Sequence, residues 1–409
     1  MIFGSRAKFG MADVVRLFGE KLMLSRQFPK IVRRALNDIL SCRTSALGGH
    51  IDACDHCGAI KVSYNSCGNR NCGKCQSVTR EAWVLGREQD LLPVTYYHVV
   101  FTIASEMNGL CLKNPALMYD VLFRSAWETL QAFAKDERHL GAKTGATMVL
   151  HTWGQNLNLH PHVHAIVPGG GLTKEGKWQA ARSRSDRFLF PVKAMGSVFR
   201  ALFLKKVFNY LAENALALPD GPQFSCPLLL KKWRQGLYKK PWAVYAKRPF
   251  GGPKQVIEYL GRYTHKTAIS NHRILDVNEK TVRFSYRDYR TGGEKKEMTL
   301  AGGEFLRRFT MHILPSGFRR MRHFGILSNA NKAGSLAAIR LDLAPGVPVP
   351  PKKDRKQLRT EAVERLFKAE PKDRCTCCKV GKMIRIGLVP SQRPPPNGQM
   401  PDWSPLATA

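Results

Sequence analysis

The stretch "NLHPHVHAIVPGGGL" (158–172) places His160, His162 and His164 on alternate positions of an otherwise apolar run. Residues two apart on a strand share a face. His162 and His164 therefore point the same way with Val163 behind them, as adjacent imidazoles, while Pro161 bends the chain and can swing His160 away. Two imidazoles make an incomplete metal site. Gln155 and His151, upstream in the neighbouring strand or its turn, are candidates for the third ligand, as is His160. A metal held this way keeps open positions, which suits Lewis-acid chemistry on a phosphate or carbonyl oxygen.

Outward from this strand, "GATMVLHTW" (145–153) reads as its hairpin partner and "YYHVVFTIA" (96–104) as another core strand. Apolar residues at helical spacing predict two helices over 9–41, one over 114–138 and one over 193–218. Gly-Gly-Pro in "PFGGP" (249–253) announces a further helix. On it, Tyr259 and Tyr263 are four apart and share a face. A tyrosine can form a phosphotyrosine ester and so keep the energy of a broken phosphodiester for rejoining. Arg262, His265 and Lys266 lie beside them in sequence for phosphate contacts.

Charge selects the substrate class. Among 409 residues, 65 Lys and Arg stand against 31 Asp and Glu, a formal +34 spread along the chain. A field of that sign attracts polyanions and predicts salt-sensitive nucleic-acid binding. It disfavours a hydrolase of small molecules, which has no use for it. The run "EFLRRFTMHILPSGFRRMRHFG" (304–325) is basic and aromatic together, so Arg319, Arg320 and Arg322 are expected DNA contacts. No apolar stretch approaches the roughly 20 residues of a membrane span, and the N-terminus lacks a signal-peptide pattern, so a cytoplasmic protein is expected.

Eleven cysteines in a reducing compartment point to metal before disulfides. Cys54-x-x-Cys57 and Cys72-x-x-Cys75, separated by a short strand-like stretch, predict four thiolates around one structural zinc ion. His50, His56 and Cys67 are in range as replacement or supplementary ligands, and Arg70 and Lys74 suit a DNA-contacting ribbon. A second cluster, "CTCCKVGKM" (375–383), has Cys375, Cys377 and Cys378 but no partner pair downstream.

An apolar strand, a His-x-His strand and a Tyr-x-x-x-Tyr helix, in that order, resemble the motifs of HUH single-strand endonucleases. "CDHCG…NSCGNRNCGKCQ", "HTWGQNLNLHPHVHAIVPGGGL", "YLGRYTHKTAISNHRI" and "FLRRFTMHILPSGFRRMRHFGILSN" together resemble the insertion-sequence-ninety-one family of rolling-circle transposases, over about residues 20–330. The resemblance implies an α+β fold: a central antiparallel sheet flanked by helices, preceded by helices and a small zinc ribbon. It implies Mg²⁺ or Mn²⁺ on His162 and His164, and attack by Tyr259 or Tyr263 giving a 5′-phosphotyrosine and a free 3′-hydroxyl. The third ligand does not carry over from the resemblance, and Gln155, seven residues before His162, is the choice. Single-stranded DNA at transposon ends and target DNA would be the partners. The expected organisation is N-terminal helices (1–49), zinc-binding ribbon (50–90), two-tyrosine catalytic domain (91–335), and a Pro-rich linker with a basic, partly disordered tail (336–409). A plasmid-type replication initiator or relaxase would use the same chemistry. A non-catalytic zinc-dependent DNA-binding regulator would leave the histidines and tyrosines idle.

Overall fold

The computed structural model describes residues 7–182, 189–247, 255, 261, 267–347, 351–367 and 374–392. At its centre is an antiparallel sheet of five strands, ordered β12-β4-β5-β3-β8. These are β3 (Tyr96–Thr102), β4 (Gly145–Trp153), β5 (Leu159–Pro168), β8 (Val244–Lys247) and β12 (Met321–Gly325). Both β4 and β5 are buried almost throughout, which is why they read as continuous apolar runs.

One face of the sheet carries Val99, Phe101, Met148, Leu150, Val163, Ala165 and Val167 into the main core. The long helices α5 (Pro115–Lys135) and α6 (Val192–Ala212) cover that face. Phe101 of β3 packs against Phe199 of α6 with ring centroids 5.1 Å apart. Pro115 opens α5, where a missing N–H costs nothing. Part of the opposite face is closed by the helix Lys332–Leu343, whose Leu336 and Ile339 meet Val149 and Ile166. The α+β class with a central antiparallel sheet agrees with the expectation.

The N-terminal module has α1 (Met11–Ser25) and α2 (Lys30–Ser41), followed by β1 (Gly49–Cys54), β2 (Ile60–Tyr64) and α3 (Gln76–Glu88). Its helices share a second core with β9 (Ile274–Val277), β10 (Thr281–Asp288) and the helix Gly302–Thr310. β11 (Glu294–Ala301) completes the β11-β10-β9 sheet. Short or peripheral elements include α4 (Asn108–Lys113), the ribbon β6 (Gly170–Leu172) and β7 (Trp178–Ala180), and α7 (Pro227–Lys239).

Within the expected linker and tail (336–409), the described residues include a helix and a strand, while 393–409 lie outside the described residues. The helix Arg355–Phe367 lies on α3, where Arg365 meets Glu81 at 3.2 Å and Glu88 at 3.1 Å. β13 (Met383–Val389) then pairs antiparallel with β1, giving a sheet of order β13-β1-β2. Ion pairs, backbone strand pairing and the buried Ala362 hold this segment.

His312 gives the acid limb of stability a handle. It is buried, its Nε2–H donates to the Leu157 carbonyl at 3.0 Å, and its Nδ1 accepts from Thr152 Oγ1 at 3.2 Å. Burial pushes its pKa down to about 4, against about 6.5 for an unfolded histidine. The unfolded chain thus binds more protons between those values, and folding stability falls as pH drops through that window. The slope is up to about 1.4 kcal/mol per pH unit from this group. Urea midpoints between about pH 7 and pH 4.5 should show it. His312→Gln should flatten the profile, and equal slopes for both proteins would contradict this account.

Candidate active site and thiolate clusters

The β4–β5 register builds the histidine site. His151 is paired directly with His162, and Val149 with His164, so His151, His162 and His164 share one face of the sheet. Their ligand nitrogens all lie within 4.8 Å of one another. Two of the rings, those of His151 and His164, have centroids 4.6 Å apart and cross at 65°.

Pro161 sits in a central strand beside a register irregularity between His151 and Trp153, the place where a strand tolerates the lost N–H. There His160 turns out to solvent. Its carbonyl accepts from His162 Nδ1 at 2.6 Å, which leaves Nε2 of His162 as the lone-pair nitrogen. Burial holds the His162 pKa down to about 4, so the imidazole is neutral and ligand-competent at neutral pH. His98 of β3 stacks parallel to His164 and bonds its Nδ1 through Nε2 at 2.8 Å. The site therefore fits a divalent ion on three imidazoles, braced by a fourth histidine and a carbonyl.

Gln155, the expected third ligand, lies beyond the Trp153–Leu159 pair in the hairpin turn, where its backbone carbonyl accepts from Arg273. The register brings His151 to the pair instead. His151 was legible as an alternative, because β4 and β5 are adjacent runs and antiparallel pairing opposes residues equidistant from the turn. His98 was not singled out from sequence. Its signal was only a polar residue in an apolar strand.

The basic residues divide by strand face. Arg322 is paired with Met148, a core residue, so it points away from the histidines. There it meets Asp120 at 2.5 Å and lies 4.4 Å above the Phe123 ring. Arg322, expected as a DNA contact, is thus engaged by side chains of its own chain. Arg70 likewise donates to the carbonyls of Leu314, Pro315 and Phe318 at 2.9 to 3.0 Å, anchoring the N-terminal module to that loop. Arg319 is exposed, and Arg320 is half-buried with its guanidinium 5.7 Å from the Trp153 ring. Tyr245 of β8 is paired with Val100, which is paired with His164. It thus shares the histidine face and is 54% exposed.

Tyr259, Tyr263, Arg262 and Lys266, with His265, lie outside the described residues. Between the tyrosines, Gly261 is helical and buried, and a Cβ there would collide with Val84 of α3. That close approach requires glycine.

The thiolates are paired differently from the expected set of Cys54, Cys57, Cys72 and Cys75. Cys72 and Cys75 gather with Cys42 and Cys67, while Cys54 and Cys57 gather with Cys375 and Cys378. In the first cluster Cys42 Sγ lies 3.3 Å and Cys67 Sγ 3.7 Å from Cys75 Sγ. Hydrogen bonding from Cys67 holds the Cys42 thiol down to about 6, and bonding from Cys42 lowers Cys75. Cys42 and Cys72 belong to the second core, so this cluster stitches the end of α2 to the knuckle before α3. Cys42, a lone cysteine after a helix, carried no spacing signal.

The thiolate-lined N-terminal module and the histidine-centred sheet both fall in regions that match family models of transposases. Residues 14–103 match the family described as "Transposase zinc-binding domain", and residues 145–334 match that described as "Putative transposase". The chain belongs to the IS91 family of transposases, with an N-terminal zinc-binding domain. It is 40% identical over 395 residues to "Putative transposase y4qJ" of Sinorhizobium fredii (strain NBRC 101917 / NGR234), covering 94% of this chain and 97% of that protein. It is 31% identical over 298 residues to the transposase for insertion sequence element IS801 of Pseudomonas savastanoi pv. phaseolicola, covering 71% of this chain and 69% of that one. No solved structure matches it. Among the described residues, no helix is long and apolar enough to cross a membrane.

Proposed function

We propose that this transposase nicks and rejoins single-stranded DNA through 5′-phosphotyrosine intermediates, in the manner of HUH endonucleases. The observation that carries the reading is the gathering of three imidazoles on one face of the central sheet, with His162 neutral and its Nε2 turned to the cluster. His151, His162 and His164 would hold Mg²⁺ or Mn²⁺, with Mn²⁺ the better match to a nitrogen-rich set. When bound, such an ion polarises the scissile phosphate.

The protein's own residues do the rest. Tyr259 or Tyr263 attacks phosphorus: the new Tyr O–P bond forms as the bond to the 3′ oxygen breaks, and a 3′-hydroxyl is released. The second tyrosine repeats the step on another strand, and each 3′-hydroxyl can reverse it on a new partner, so no nucleotide triphosphate is consumed. Tyr245 offers an exposed ring on the histidine face against which an unpaired base can stack. Arg319 and Arg320 extend the basic surface beside Trp153, and the overall surplus of positive charge supplies salt-dependent affinity.

The test is adduct formation on single-stranded DNA from the element's ends, with Mn²⁺, in wild type, Tyr259→Phe, Tyr263→Phe and the double variant. A covalent protein–DNA band that disappears fully only in the double variant upholds the two-tyrosine scheme. Loss in one single variant leaves one working nucleophile. DNA binding without an adduct under any metal refutes the enzyme reading and favours a binding protein.

A further inference from the structure

We propose that Cys54, Cys57, Cys375 and Cys378 bind a second zinc ion, which fastens the C-terminal segment 374–392 to the N-terminal module. Neither family match reaches Cys375 or Cys378, since the two cover residues 14–103 and 145–334.

The geometry is that of a metal site rather than of a disulfide. Cys54 Sγ lies 3.7 Å from Cys378 Sγ, and Cys57 Sγ lies 3.7 Å from Cys375 Sγ. A Zn–S bond of about 2.3 Å makes the edge of a tetrahedron about 3.8 Å. A disulfide would bring two sulfurs to about 2.0 Å.

The two halves are built alike. Each is a Cys-x-x-Cys knuckle closed by a backbone hydrogen bond of 3.1 Å, from Gly58 N–H to the Cys54 carbonyl and from Lys379 N–H to the Cys375 carbonyl. Each turns through a left-handed residue just after its second cysteine, Gly58 at φ 69° and Lys379 at φ 59°. For Lys379, which carries a side chain, that conformation is sparsely populated. N–H groups of His56 and Cys57 point at Cys54 Sγ, while those of Cys377 and Gly381 point at Cys375 and Cys378, at 3.3 to 3.5 Å. Donors aimed at sulfur favour the thiolate, the form that binds metal.

The knuckles also fit each other. A Cβ at Gly381 would come within 2.5 Å of Cys54 Sγ and 2.6 Å of His56 Cβ, so only glycine lets them close. Asp55 N–H donates to the Lys382 carbonyl at 3.0 Å, and Lys382 N–H donates to Asp55 Oδ1 at 2.7 Å. β13 leaves this junction and pairs with β1. The ion thus joins residues 324 positions apart, and gives the C-terminal knuckle the partner pair its local sequence lacks.

Zinc released from the intact protein by an organomercurial, which frees thiolate-bound ions only, tests this. Two ions per chain are expected in wild type, and two in Cys377→Ser, whose exposed thiol is outside the cluster. The Cys375→Ser/Cys378→Ser variant should release one. Cys378→His, which keeps a fourth ligand, should hold two thiolate-site ions by native mass spectrometry before mercurial treatment and lose both after it. One ion in wild type, or two in the double serine variant, overturns the proposal. If the serine variant does not fold, the counts for wild type and Cys378→His decide it.

Discussion

His162→Ala is expected to lower single-strand nicking about a thousandfold while DNA affinity stays within a few-fold. A bound cation contributes several kcal/mol of charge stabilisation to a phosphoryl transition state, and each 1.4 kcal/mol is about one decade in rate. His162 offers that cation a neutral nitrogen whose orientation is fixed by the His160 carbonyl. The net positive charge that binds the DNA backbone is untouched by the change, hence the separation of rate from affinity. The same assay ranks the third ligand. His151→Ala should cost as much as His162→Ala, because the hairpin register opposes the two, whereas Gln155→Ala should stay within a few-fold of wild type. The reverse ranking would place the metal toward the turn and defeat the register argument. Unaltered nicking by His162→Ala, with circular dichroism unchanged, would remove metal from these imidazoles altogether.

The second large effect lies in the N-terminal module. Cys72→Ser should strip zinc from the cluster of Cys42, Cys67, Cys72 and Cys75 and unfold the helices that rest on it. Structural zinc contributes about 10–16 kcal/mol in small domains, comparable with the entire stability of an ordinary domain at about 5–15 kcal/mol. Cys42 and Cys72 are also buried members of the core that α1 and α2 share with β9, β10 and the helix Gly302–Thr310. Amide exchange should therefore lose protection across Met11–Ser25 and Lys30–Ser41 while β4 and β5, packed on α5 and α6, keep theirs. DNA affinity should fall with it, since Arg70 fastens this module to the loop at 314–318. Retained protection in α1 and α2 after zinc loss would mean that the apolar core alone holds the module.

Local chemistry was legible wherever it depended on neighbours along the chain. Period-two spacing placed His162 and His164 on one face, Pro161 turned His160 out, and each Cys-x-x-Cys made a knuckle, since all of these follow from backbone geometry over a few residues. The α+β class and the core strands at 96–104, 145–153 and 160–168 were legible too, because long apolar runs bounded by turns have few other uses. Tyr259 and Tyr263 lie outside the described residues, so their shared face rests on sequence spacing.

What required the tertiary structure was the choice of partner. Closing a loop costs only logarithmically more as it lengthens, so sequence proximity was no guide to whether Cys54 and Cys57 meet Cys72 or a pair more than 300 residues on. Strand register set which residue opposes His162: it is His151, while Gln155 lies in the turn. Strand alternation set the partners of Arg322, whose pairing with Met148 aims it at Asp120 and Phe123. Which chemical groups this transposase carries, and the small motifs that present them, follow from short windows of its chain. The fold decided which groups face one another, because that depends on long-range pairing and burial that no short window of residues contains.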